Sequence, residues 1–400
     1  MHNSRLSYHL FPDLIVACAY GAYVTDTRGN TYLDATSGMM TVPLGHAHSE
    51  IVDAAITQMK RLPAMPAGEF LSETPVELAE KLAAIAPGKS RKEVFFACSG
   101  AEAIESAMKM ATLSTGRRKF VCCIGGFHGY SLGALTLQSS YTFYNTGFDS
   151  NAFRIPYNDE MYLEGSLFRH LVDPWEVAAI FVEPILGSGG VLKATSKFMK
   201  LLRELCTFYG ILLVVDEVQT GFCRSGPMFA VERYGIEPDM ICVAKGIANG
   251  LPLSAVIYNE AVANWNSGVH SSTFGGNPVS CAAALKTIEI LQRESFQKLF
   301  AASARALKRA LVGIWRAHHN VIKDVRGDGH MLGVELNVKA EGSGLHTLVL
   351  RVMQKCFAKG LLLLGTGGNV VYFFPPLNLS DKDVQKIAEV FESTVKEVRL

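Results

Sequence analysis

An apolar run that ends at a lysine constrains this chain more than any other stretch: Met240-Ile-Cys-Val-Ala244 is followed by Lys245 and then by Gly246. Such a run fits a strand buried on both faces. The lysine then leaves the strand at its carboxyl end, where open α/β sheets keep their ligand crevices. An ammonium held there is desolvated, which lowers its pKa and frees a fraction of neutral amine able to form an imine. A lysine after a strand also commonly turns into water, so its surroundings decide between the two readings. Upstream, Ile211-Leu-Leu-Val-Val215 is a second buried run, and it ends at Asp216. An acid at a strand's carboxyl end points into the same crevice as Lys245. Alone, Asp216 is equally suited to capping a helix or holding a metal.

Strands and helices alternate around this pair. Gly21 to Asp34 alternates about a Gly-Asn turn and predicts a hairpin. The apolar loop Ser37–Gly45 precedes a helix near Ser49–Leu62. Glu93–Cys98 reads as a strand, Ser99-Gly100-Ala101 as a tight turn and Glu102–Leu113 as a helix, so backbone N–H groups at the helix start are aimed at the crevice and offer an anion site. Ser99 is equally a common N-cap. The strand Lys119–Ile124 ends in Gly125-Gly-Phe-His-Gly129, and Val177–Val182 ends in the loop that begins at Glu183. The amphipathic stretch Ser196–Tyr209 leads back to the Asp216 strand, an alternation that predicts a mainly parallel sheet. Near the carboxyl end, Ser380 caps a helix over Val384–Val398.

Composition excludes several classes. The 400 residues are 49% hydrophobic, enough for two or three domains with substantial cores. No apolar stretch approaches the ~20 residues of a membrane-spanning helix, and the opening residues lack the apolar region of a signal peptide. The net charge is +1 with no basic block, so neither nucleic acid nor a membrane surface is an expected partner. Nine cysteines, an odd number without metal-ligand spacing, read as buried free thiols in a reducing cytoplasm, and no metal site is expected.

The run from Val214 through Gly226 to Gly250 resembles the class III, or ω-, aminotransferases among the fold type I pyridoxal-phosphate enzymes. Similar motifs recur from Gly29-Asn-Thr-Tyr-Leu-Asp34 to Arg326-Gly-Asp-Gly-His-Met-Leu-Gly-Val-Glu335. The resemblance implies an α/β large domain at 48–300, with a seven-stranded, mainly parallel sheet flanked by helices. It also implies a smaller α+β domain built from 1–47 and 301–400. It makes pyridoxal 5'-phosphate the cofactor, with Lys245 as its Schiff-base anchor and proton shuttle and Asp216 on the pyridine nitrogen. Ser99, Gly100 and Ala101 then cradle the phosphate, Phe127 stacks on the ring, and Gln219 bonds the phenolic oxygen. His128 buttresses its loop, and Glu183 braces neighbouring loops. Thr273 holds the phosphate of the partner subunit's coenzyme, which implies a homodimer with shared sites. Met39, Met40 and Ser272 are candidate pocket walls, and Thr366-Gly-Gly368 lies near the crevice rim.

Three positions depart from the family pattern. Tyr130 stands where relatives acting on acetylornithine, ornithine or 4-aminobutyrate carry an arginine. Ser188 and Tyr372 stand where those relatives carry a glutamate and its arginine partner. Three neutral residues point to a donor that is an amine, an amino sugar or an uncommon amino acid, working with a carbonyl acceptor in a ping-pong cycle. A racemase, an epimerase or a decarboxylase uses the same site, and an inactive homologue serving as a binding subunit is a reading from a different class.

Overall fold

The computed structural model describes residues 10–11, 14–138, 151–262, 266, 268–338 and 347–398. Its centre is a seven-stranded sheet, numbered here in chain order: β1 Lys92–Ala97, β2 Lys119–Cys123, β3 Ala152–Ile155, β4 Val177–Val182, β5 Leu212–Asp216, β6 Met240–Val243 and β7 Ser254–Asn259. The spatial order is β1-β7-β6-β5-β4-β2-β3. Only β7 runs against its neighbours.

Every residue of β4 and of β6 is buried, as befits strands covered on both faces. Phe181, Val214, Met240 and Cys242 pack with the helix Gly100–Thr115 on one side; Ile180, Val182, Leu213, Val215 and Ile241 pack with the helix Ser196–Tyr209 on the other. The alternation along each strand thus builds a three-layer α/β unit.

A separate apolar core joins Leu33 and Ala35 to residues between Leu307 and Val398, while the large core runs from Leu44 to Phe300 and adds Leu377. Two four-stranded sheets serve the smaller core. One holds the expected hairpin, Tyr23–Asp26 with Thr31–Asp34; the other pairs Ile322–Asp328, Met331–Leu336, Val370–Phe373 and Leu364–Thr366. A long helix runs from Glu294 to Ala317. Phe296 and Phe300 sit in the large core and Leu307, Leu311 and Ile314 in the small one, so this helix ties the two together. Seven of the nine free thiols are buried; Cys18 is exposed and Cys98 half-exposed, which corrects the expectation that all lie inside. Among the described residues, no helix is long and apolar enough to cross a membrane.

Candidate active site

β5 and β6 are parallel neighbours in which Asp216 pairs with Cys242, so the acid and the lysine leave adjacent strand ends on the same edge. Between them and the start of the helix Gly100–Thr115 lies a cavity of about 520 Å³. Ser99, Gly100, Ala101, Phe127, His128, Tyr130, Asp216, Gln219 and Lys245 all line it.

Each side chain is placed by local geometry. Lys245 follows the last residues of β6 with φ 47°, a left-handed conformation costly for a residue with a Cβ. The residue is half-buried and lines the cavity. Burial lowers its pKa from the ordinary lysine value, Asp216 and Glu183 oppose that shift, and Arg224 adds to it. Asp216 is buried at the end of β5; one carboxylate oxygen accepts from the Val218 N–H at 2.9 Å and the other from His128 Nδ1 at 2.7 Å. A carboxylate only accepts, so Nδ1 carries the proton. His128 is therefore more than a loop buttress, since it orients the acid directly. Burial pulls its pKa down, but the bond to Asp216 and the field of Glu183 leave it raised overall.

Ser99 caps the helix, accepting from the Glu102 N–H at 3.2 Å, while Glu102 accepts from the Cys98 N–H at 2.9 Å. The N–H groups of Gly100 and Ala101 find no acceptor among the described residues, and both residues line the cavity. The loop after β2 approaches this turn closely: a Cβ at Gly129, where φ is 135°, would lie 2.6 Å from that of Ala101. Glu183 accepts from the Phe127 N–H at 2.9 Å and the Gly187 N–H at 3.3 Å, so it does brace two loops. Burial lifts its pKa to about 7.

The remaining expected residues lie elsewhere. Met40, Ser188 and Tyr372 do not line the cavity. Met40 and Tyr372 are buried in a cluster with Ile185, Val191, Met331 and Phe374, and the Tyr372 hydroxyl donates to the Gly187 carbonyl at 2.6 Å. Met39 is 49% exposed, on a turn in which Ser37, Gly38, Met39 and Met40 all have positive φ. Ser272 is half-buried beside Cys98, and Thr273 is exposed. Sequence reasoning passed over Thr41, Cys98, Ser131 and the Leu251–Leu253 stretch, all of which line the cavity; they lie in or beside stretches already singled out, but no residue chemistry marks them as facing the cavity.

The donor set fits pyridoxal phosphate: free N–H groups at a helix start for the phosphate, a flat aromatic for the ring, a buried carboxylate for its nitrogen and an amine for its aldehyde. Comparisons with known proteins agree. The model of the family Aminotransferase class-III matches residues 6–395. An acetylornithine aminotransferase of Archaeoglobus fulgidus is 38% identical over 94% of this chain and 94% of its own. An alanine/serine racemase of Pyrococcus horikoshii is 36% identical over 99% of this chain and 88% of its own. Among solved structures, a transaminase from the marine bacterium Virgibacillus matches with a TM-score of 0.88 and 28% identity, over 96% of this chain and 93% of that one. The chain is thus a pyridoxal-phosphate-dependent transaminase of fold type I and belongs to the class III aminotransferase family.

Proposed function

We propose that Lys245 carries the coenzyme and that the enzyme takes its amino group from a donor without a second carboxylate: an amine, an amino sugar or an uncommon amino acid. The observation behind the donor class is the cavity wall. Among the described residues no arginine lines it, and Lys245, which the coenzyme would occupy, is its one lysine. A second carboxylate held there would stay poorly paired, at a cost of several kcal/mol. Tyr130 stands at the mouth instead, 72% exposed, with its ring edge-on to Phe127 at 5.0 Å between centroids.

When bound, pyridoxal phosphate supplies an aldehyde that captures the amino group and a ring that draws electrons from the donor carbon. The protein does the rest. The helix start at Gly100 and Ala101 holds the phosphate, and Phe127 orients the ring. Asp216, itself held by His128, keeps the ring nitrogen protonated. Lys245 Nζ, with its lowered pKa, would take the proton from the donor carbon and deliver it to the coenzyme's aldehyde carbon, across the nitrogen that joins the two.

Thr273 supports a homodimer with shared sites, because it is exposed on a loop beside Phe274, itself 65% exposed. The helix Ser49–Arg61 also presents Val52, Ile56 and Met59 to a groove that shares Thr41, Gly250 and Leu251 with the cavity. An apolar face at the mouth of the site suits a second copy of the chain. We place the domain division at 48–300 against 1–47 with 301–400, supported by the two apolar cores. The free thiols support a reducing, cytoplasmic setting.

A half-reaction screen tests the donor class. Amines, diamines, amino sugars and amino acids are each added to the loaded enzyme, and conversion to the pyridoxamine form is followed by absorbance. Donors without a second carboxylate should convert fast, and glutamate and acetylornithine poorly. Efficient conversion by acetylornithine would refute the pocket argument, while exchange of an amino acid's α hydrogen with inversion and no conversion would point to racemisation.

A further inference from the structure

The loop that begins at Glu183 belongs to the large core but is held by the smaller one. Three side chains of the Ile322–Phe373 sheet donate to three carbonyls of a single turn. Tyr372 Oη bonds the Gly187 carbonyl at 2.6 Å, Thr366 Oγ1 the Ser188 carbonyl at 2.7 Å and Arg326 Nε the Gly190 carbonyl at 2.7 Å. The turn ends in Val191, a β-branched residue at φ 60°, a conformation that costs about 1–3 kcal/mol and persists only where the surroundings over-determine it. Val191 is fully buried against Tyr372, Phe374 and Met331, which supplies that constraint.

The other side of the turn backs onto the coenzyme cavity. Any Cβ at Gly187 would collide with the Gln219 side-chain amide, so the Gly187 backbone lies directly against the side chain that forms part of the cavity wall. Gln219 Nε2 and the Gly187 N–H also share the same Glu183 carboxylate oxygen, at 3.4 and 3.3 Å. A shift of this turn therefore moves Gln219 and Glu183 together.

We propose that Tyr372 is a positioning residue for the transamination: through its bond to Gly187 it sets Gln219 against the coenzyme and makes that placement depend on the seating of the small domain. The Gly187 carbonyl already accepts the N–H groups of Gly190 and Val191, at 3.0 and 3.2 Å, so the tyrosine hydroxyl is not needed to satisfy the turn. Its role is to tie the turn to the neighbouring sheet. For the same reason Tyr372→Phe keeps the stacked ring, orphans no carbonyl and should fold.

The inference rests on the cavity being the coenzyme site. Its test compares wild type, Tyr372→Phe, Gln219→Ala and the double variant, each loaded with pyridoxal phosphate. Tyr372→Phe should bind the coenzyme but shift the pH at which its visible absorption changes. It should also lower kcat roughly tenfold with KM little altered, since small misplacements near the chemistry cost 10–100-fold. Amide hydrogen exchange across residues 183–191 should speed up in the coenzyme-free protein. On the Gln219→Ala background the same change should add almost nothing to either the absorption shift or kcat, because the tyrosine acts through the glutamine. Additive effects in the double variant, or an unshifted absorption titration in Tyr372→Phe, would overturn the proposal. Failure of wild type to bind the coenzyme would instead sink the site assignment beneath it.

Discussion

Buried titratable residues mark both the site and its supports, and each has a cost that pH can expose. Glu183 is buried and its pKa is lifted to about 7, so the folded protein holds that proton more tightly than the unfolded chain and loses the associated stability as pH rises through 7. His330 runs the opposite way. It is fully buried, with Nδ1 donating to the Pro376 carbonyl at 2.9 Å, and burial with the nearby Arg224 depresses its pKa to about 3. Between pH 6.5 and 3 the unfolded chain therefore takes up a proton that the folded protein refuses, and stability falls as pH drops through that window. Urea unfolding of wild type and His330→Asn at stepped pH checks this. The variant's acid slope should be shallower by up to about 1.4 kcal/mol per pH unit, and parallel slopes would contradict it. His330 lies within the Arg326–Glu335 motif, yet nothing in that motif shows that its ring is buried. Its burial comes from the packing of Ser303, Arg224 and Pro376, which are far apart along the chain.

Among the elements, regular strands and helices were the legible part. Val177–Val182 and Ser196–Tyr209 have the bounds that their patterning predicts, because a continuous apolar run and a helical period each admit one packing. The turn at Ser37–Met40 was not legible. Only Gly38 among its four left-handed residues favours that conformation by chemistry, and the others are held there from outside. Asp34 accepts from the Gly38 N–H at 2.9 Å, and Ser37 Oγ donates to the Phe374 carbonyl at 2.7 Å while accepting from Arg224 at 3.0 Å. Tyr372 was misplaced for a related reason: all four residues of Val370–Phe373 are buried, so no alternation says which face each side chain takes. The strain at the turn is measurable. Met39→Gly should leave stability unchanged or raise it by up to about 1 kcal/mol, since glycine accepts positive φ without the Cβ penalty. A loss of about 1 kcal/mol in urea unfolding would mean that the residue is not held in that conformation.

For the whole molecule, most residues that line the cavity were legible in the sequence because they sit at or just beyond strand ends, which hydrophobic patterning locates. The proposed sharing between subunits rests on Thr273, which is exposed on the single chain. Mixing Thr273→Ala with Lys245→Ala protein tests that sharing. If sites are shared, one site of each mixed dimer carries both lesions and the other neither, so coenzyme binding should recover at no more than half of the mixed-dimer sites. Independent sites would each keep a single lesion, and no mixed dimer would contain an undamaged site. The central claim is that the lysine ending β6 carries the coenzyme, and borohydride reduction of the loaded protein followed by peptide mapping tests it most directly. The account predicts visible absorption on adding pyridoxal phosphate and a single pyridoxyl group on Lys245. A pyridoxyl group on another lysine, or the same absorption from Lys245→Ala, would contradict it.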